Sequence, residues 1–183
     1  MKILPRIIFI VFSVLLILYL ILPNPPYPEP PPDALQSNEP ADTESPLRRA
    51  YFTDFTREQV MQHYESQLDR SFFFKVPLPT YRLNYPPEEA QTIIRDQTRS
   101  TFLEEVVHPF RESVFVNGFE PKDPKDAIFI SERHWRQKII VRFVPSSPVI
   151  RLAVAIPTLF LLFVIFRNWQ GSARKIFGRG KNA

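Results

Sequence analysis

The sequence predicts an α+β protein in which two transmembrane helices flank a small extracytoplasmic domain, with two helices packed on a mostly antiparallel sheet. Three observations lead there. An apolar run lies near each end of the chain, the first of them without a charge. The interval between them mixes helix-start signals with short β-branched and aromatic runs, the mark of α+β architecture. Charge is divided by region: Arg48–Pro148 is nearly balanced, whereas the basic excess sits outside the apolar runs. A chain of 183 residues with two such runs has room for one folded domain of roughly 100 residues.

The first run, "IIFIVFSVLLILYLIL" from Ile7 to Leu22, is sixteen residues without a charge. It is about 24 Å long as a helix, and Ile3 and Leu4 extend it toward a hydrocarbon core of about 30 Å. Lys2 and Arg6 would also suit a signal peptide, but "LYLILPNPP" has no small residues at cleavage spacing, so residues 1–22 are expected to stay as an anchor. Residues 23–47 follow as an acidic linker with nine prolines between Leu22 and Pro46 and no Lys or Arg. Proline fixes φ and removes a donor, so Pro23–Pro32 should be extended and Gln36–Ser45 flexible. The linker is expected to act as slack, with docking of "PNPPYPEPPP" in an aromatic groove the lesser alternative.

Residues 48–148 are the expected domain. Thr56 can cap a helix, Gln59 completes a capping box, and Phe55 with Val60 has staple spacing. Val60, Met61, Tyr64 and Leu68 then mark one face of a helix from about Arg57 to Asp69. "SFFFKVPLPTYRLNY" reads as two short extended pieces, at least one at a sheet edge because of Pro77 and Pro79. "PPEEAQTIIRDQTRSTFLEEVVHPF" opens with Pro87 and two Glu, places Phe102, Val106 and Phe110 on one side, and predicts a second helix ending at Pro109. Strands are expected in "SVFVNGF", "AIFISE" and "KIIVRFV", with "ERHWRQ" as the loop joining the last two and Asn117-Gly118 a tight turn.

Residues 149–167 form the second transmembrane segment, with Arg151 near one end and Pro157 inside. Residues 168–183 are a basic tail. Lys2 and Arg6 before the first segment, and Arg167, Arg174, Lys175, Arg179 and Lys181 after the second, put both termini in the cytoplasm by the positive-inside rule. The absence of an Asn-x-Ser/Thr sequon fits a prokaryotic plasma membrane.

Chemistry is mostly excluded. There is no cysteine, hence no disulfide or thiolate. The expected domain holds one glycine, Gly118, so it has no phosphate-binding loop, dinucleotide fingerprint or nucleophile elbow. His63, His108 and His134 are scattered, and Glu104, Glu105 and His108 on one helix turn lack the facing Glu-x-x-His that a di-iron site needs. No metal, cofactor or nucleic-acid partner is expected. The polar cluster with most character, and the candidate interaction site, is Arg133, His134, Trp135 and Arg136; it is expected to be a charged hairpin tip near lipid headgroups, with the holding of an anionic or sugar-like group the lesser alternative. The expected function is that of a non-enzymatic interaction or scaffold protein, bound to the bilayer and to a membrane or envelope protein. The alternative is a small hydrolase of envelope lipid or glycan using His63, His108 or His134 as base.

Overall fold

The computed structural model describes residues 3–68, 72–73, 76–77, 79–85 and 102–179. It divides into two units, Met1–Pro23 with Ser147–Ala183, and Asn24–Ser146.

The first unit is a pair of helices, α1 (Leu4–Ile21) and α3 (Pro148–Arg179), both with a stretch long and apolar enough to cross a membrane. They run antiparallel. Arg151 Nη2 donates to Leu22 O at one end (3.2 Å), and the Phe9 ring meets those of Phe163 and Phe166 at the other (6.1 and 6.5 Å). Two hydroxyl side chains in the apolar stretches bond backward to their own helix, Ser13 to Phe9 O and Thr158 to Val154 O (both 2.8 Å), which satisfies their donors within the helix.

The second unit is built on a six-stranded antiparallel sheet. Its strands are β1 (Leu35–Gln36), β2 (Arg48–Thr53), β5 (Tyr81–Tyr85), β6 (Phe102–Val107), β7 (Glu112–Phe119) and β10 (Gln137–Pro145), in the order β1-β2-β10-β7-β6-β5. Short separate pairs join β3 (Phe72–Phe73) to β4 (Val76–Pro77) and β8 (Ile128–Ile130) to β9 (Arg133–Trp135). The central register sets Val141 beside Val116, and Val106 beside Val114. Side chains alternate across a strand, so Tyr51, Phe102, Val106, Val114, Val116, Ile139, Val141 and Phe143 form one buried face. Helix α2 (Arg57–Leu68) covers it with Val60, Met61, Tyr64 and Leu68. The capping box forms: Thr56 N donates to Gln59 Oε1 (2.8 Å) and Gln59 N to Thr56 Oγ1 (3.3 Å).

Three sequence expectations are corrected. The second helix is not formed where the structure describes it, because residues 102–107 are strand β6, paired with β7 from Phe102↔Gly118 to Val107↔Ser113. Residues 86–101, the rest of that expected helix, lie outside the described residues. One α-helix therefore packs on the sheet among the described residues, and Glu104, Glu105 and His108 do not share a helix turn. Asn117-Gly118 is not a turn but lies within β7. A Cβ on Gly118 would fall 2.1 Å from Phe102 Cε1, so the glycine makes room for the neighbouring ring. Finally, "ERHWRQ" is not a loop between paired strands. It contains β9, which folds back on β8 through Ser131-Glu132, both with positive φ (54° and 60°), as a two-residue hairpin turn requires.

The proline-rich segment is not slack against this domain. Tyr27 packs on the core cluster, donates its hydroxyl to Val141 O (2.9 Å), and carries the Arg49 guanidinium over its ring (4.2 Å). Glu29, between two prolines, donates its N–H to Gln67 Oε1 (2.7 Å), and its carbonyl meets His63 Nε2 (2.9 Å). Leu35 and Gln36 pair with Phe52 and Tyr51. Buried Asp42 accepts from Ser37 Oγ (2.6 Å) and pairs with Lys138 (2.7 Å). Burial depresses the Lys138 pKa, but the hydrogen bonds the ammonium donates to Asp42 and Glu39 outweigh it and hold the group above its ordinary range.

Candidate functional site

The β8–β9 hairpin gathers the residues singled out in the sequence and shows what each is used for. Arg133 Nη2 pairs with Asp54 Oδ2 (2.5 Å) and its guanidinium lies 4.1 Å from the Trp135 ring centroid. Asp54 Oδ1 also accepts the Arg136 backbone N–H (3.1 Å), while the Arg136 side chain pairs with Glu120 (2.9 Å). Trp135 is buried and donates Nε1–H to Ile130 O (3.2 Å). Desolvation raises the Asp54 pKa, but the hydrogen bonds from Arg133 and from Arg136 N, with the Arg133 charge, together prevail and lower it. Arg133, Trp135 and Arg136 thus latch the hairpin to the residues just after β2 and β7 and to itself. The outward groups are Phe129, 68% exposed, and His134, whose ring leans on it at 5.1 Å.

The hairpin stands at a defined end of the sheet. Arg136 alone separates β9 from β10, and β10 runs nine residues to Pro145, about 25 Å at strand rise. At that far end Asn24 Nδ2 donates to Ser146 O (2.7 Å), so the two points where the chain leaves the domain for the apolar helices are hydrogen-bonded neighbours. The β6–β7 turn lies there too, because Glu112 pairs with Pro145 and Ser146 Oγ donates to Arg111 O. Its tip is Phe110, 73% exposed with φ 64°, a conformation that costs a bulky residue energy.

Two polar clusters that the sequence reading missed lie inside the domain. Glu104, fully buried on β6, accepts from Arg57 and from Arg82 (2.9 Å), and Arg82 also pairs with Glu65 (3.2 Å). A cleft of about 110 Å³ beside it is lined by Arg57, Glu58, Met61, Gln62, Glu65 and Arg82, smaller than the roughly 300 Å³ at which ligand pockets begin. His108 is likewise buried, its Nε2 3.2 Å from Leu68 O, near buried Glu112, which pairs with Arg111 (3.3 Å). A period-two reading of "FLEEVV" would have placed Glu104 inside between Phe102 and Val106. The three histidines are not brought together: His63 holds Glu29 from α2, His108 sits at the β6–β7 turn, and His134 is on β9. Among the described residues no cluster of His, Asp and Glu suits a metal ion.

The site is therefore a latched surface hairpin on an α+β domain whose chain ends lead into two apolar helices. Comparison with known protein families, with characterised proteins and with solved structures finds no match.

Proposed function

We propose that this is a membrane-anchored, non-enzymatic interaction protein whose domain, outside the cytoplasm, binds another protein of a membrane or envelope complex through the β8–β9 hairpin. The observation that carries this reading is the hairpin itself: three of its four prominent residues are spent on fixing it, and the fixed product offers Phe129 and His134 outward. A rigid aromatic anchor in a polar rim is the composition of a protein-binding hot spot.

The test is capture of the tagged full chain from native membranes in mild detergent, comparing wild type with Phe129→Ala and His134→Ala. A partner that co-purifies with wild type and is lost from Phe129→Ala, while the melting temperature is kept, supports the proposal. An unchanged set of co-purifying proteins counts against the hairpin as the binding surface.

A further inference from the structure

We propose that the α1–α3 helix pair binds one anionic phospholipid, its phosphate held between Arg6 and Arg167 and an acyl chain lying against Phe9, Phe163 and Phe166. This rests on the membrane-anchored reading above. The two helices leave a cavity of about 420 Å³ lined by Arg6, Phe9, Ile10, Phe163, Phe166 and Arg167, within the size range of small-ligand sites. Its polarity is divided. Among the described residues that line it, two guanidiniums are the only charged groups and the rest are aromatic or aliphatic, which matches a molecule with an anionic head and an apolar tail.

Charge complementarity singles out the occupant. Met1–Pro23 and Ser147–Ala183 contain no Asp or Glu, so neither arginine has a carboxylate partner within its unit. Two like charges over an apolar cavity repel, and a phosphate accepting paired N–H bonds from each guanidinium removes that repulsion. Depth agrees with a headgroup position. Arg6 is fifteen residues before Ile21 along α1, and Arg167 is sixteen after Arg151 along α3, so both lie about 22–24 Å along the pair from the Leu22–Arg151 contact. That separation is close to the thickness of the hydrocarbon layer. Basic pockets between transmembrane helices on the cytoplasmic side are a known setting for anionic headgroups.

The experiment is native mass spectrometry of the full chain in detergent, doped in turn with phosphatidylglycerol and phosphatidylcholine. Wild type should retain one phosphatidylglycerol and discriminate against phosphatidylcholine. The double substitution Arg6→Gln/Arg167→Gln should lower that retention tenfold or more, since even one lost charge-assisted bond is worth about that. Arg6→Lys/Arg167→Lys, which keeps the charge but not the paired geometry, should fall between. Equal retention of the two lipids, or a double variant equal to wild type, would overturn the proposal. Millimolar inorganic phosphate should leave the bound lipid in place, and displacement would show a simple anion site, overturning the lipid assignment. Alkaline extraction from vesicles of phosphatidylcholine alone separates the two levels. A protein that stays in the vesicles but does not select phosphatidylglycerol refutes only the lipid site, whereas one that is released refutes the membrane reading beneath it.

Discussion

Replacing Tyr27 with Ala should destabilise the domain by about 3.5–4 kcal/mol. Truncating a fully buried large aromatic costs about 3–5 kcal/mol, and the half-buried Tyr27 ring should lose about 1.5–2 of that. Its hydroxyl bond to Val141 O (2.9 Å) adds about 1 kcal/mol. The Arg49 guanidinium over the ring and the edge-on contact with Phe143 (6.2 Å) each add about 0.5 kcal/mol. For a domain of this size the melting temperature should fall by about 15 °C. Near-ultraviolet circular dichroism on the full chain in mild detergent reads the transition. Tyr27→Phe, which keeps the ring, should lose only the hydroxyl share, about 1 kcal/mol. Deleting Asp33–Ser45, which removes β1 and Asp42, should also cost more than the ~1 kcal/mol expected of a slack tether. Tyr27→Ala melting within 1–2 °C of wild type, roughly the scatter of a surface change, would show that the proline segment does not support the fold.

Other outcomes follow from single contacts. Gly118→Val should prevent cooperative melting, because its Cβ would lie 2.1 Å from the Phe102 ring, and adding Phe102→Leu should restore part of it. Asp54→Asn should cost under about 1 kcal/mol, as exposed ion pairs do, yet speed hydrogen exchange across Ile128–Trp135, since Asp54 holds both Arg133 and Arg136. Burial, followed by the nearby phenols Tyr27 and Tyr51, raises the Tyr64 pKa well above its ordinary 10.0. The folded state then keeps a proton that the unfolded chain loses, so stability is full below about pH 10 and falls as pH rises further. Melts between about pH 8 and 11 should show that fall, less steeply in Tyr64→Phe.

Much of the fold was readable because its signals have a single interpretation. The capping box at Thr56 and Gln59, and the buried strands at β7 and β10, correspond to unambiguous patterns. The expected second helix failed for a definable reason. Phe102, Val106 and Phe110 are four apart, a spacing that satisfies both the helical period and the strand period of two. The residue that would have decided it, Glu104, was an inward charge and hid the alternation. The hairpin turn escaped notice because Ser131-Glu132 is not the Asn-Gly or Asp-Gly that usually signals positive φ. Composition alone said that Pro23–Pro32 would be extended and Gln36–Ser45 flexible, but Tyr27, the one aromatic side chain of the segment, was the clue that it would pack. At the candidate site the sequence singled out Arg133, His134, Trp135 and Arg136, but could not tell latch from surface. Asp54 and Glu120, which consume Arg133 and Arg136, are distant in the chain.

The claim on which the rest depends is that the folded domain faces one side of a membrane and both chain ends the other. The protein has no cysteine, so single cysteines report without background. Lys125→Cys, in an exposed turn of the domain, and Gly171→Cys, beyond the apolar stretch of α3, are treated in intact cells with a membrane-impermeant maleimide. The expected result is that Lys125→Cys reacts at once and Gly171→Cys reacts only after permeabilisation. Labelling of both in intact cells, or protection of both until permeabilisation, would contradict it.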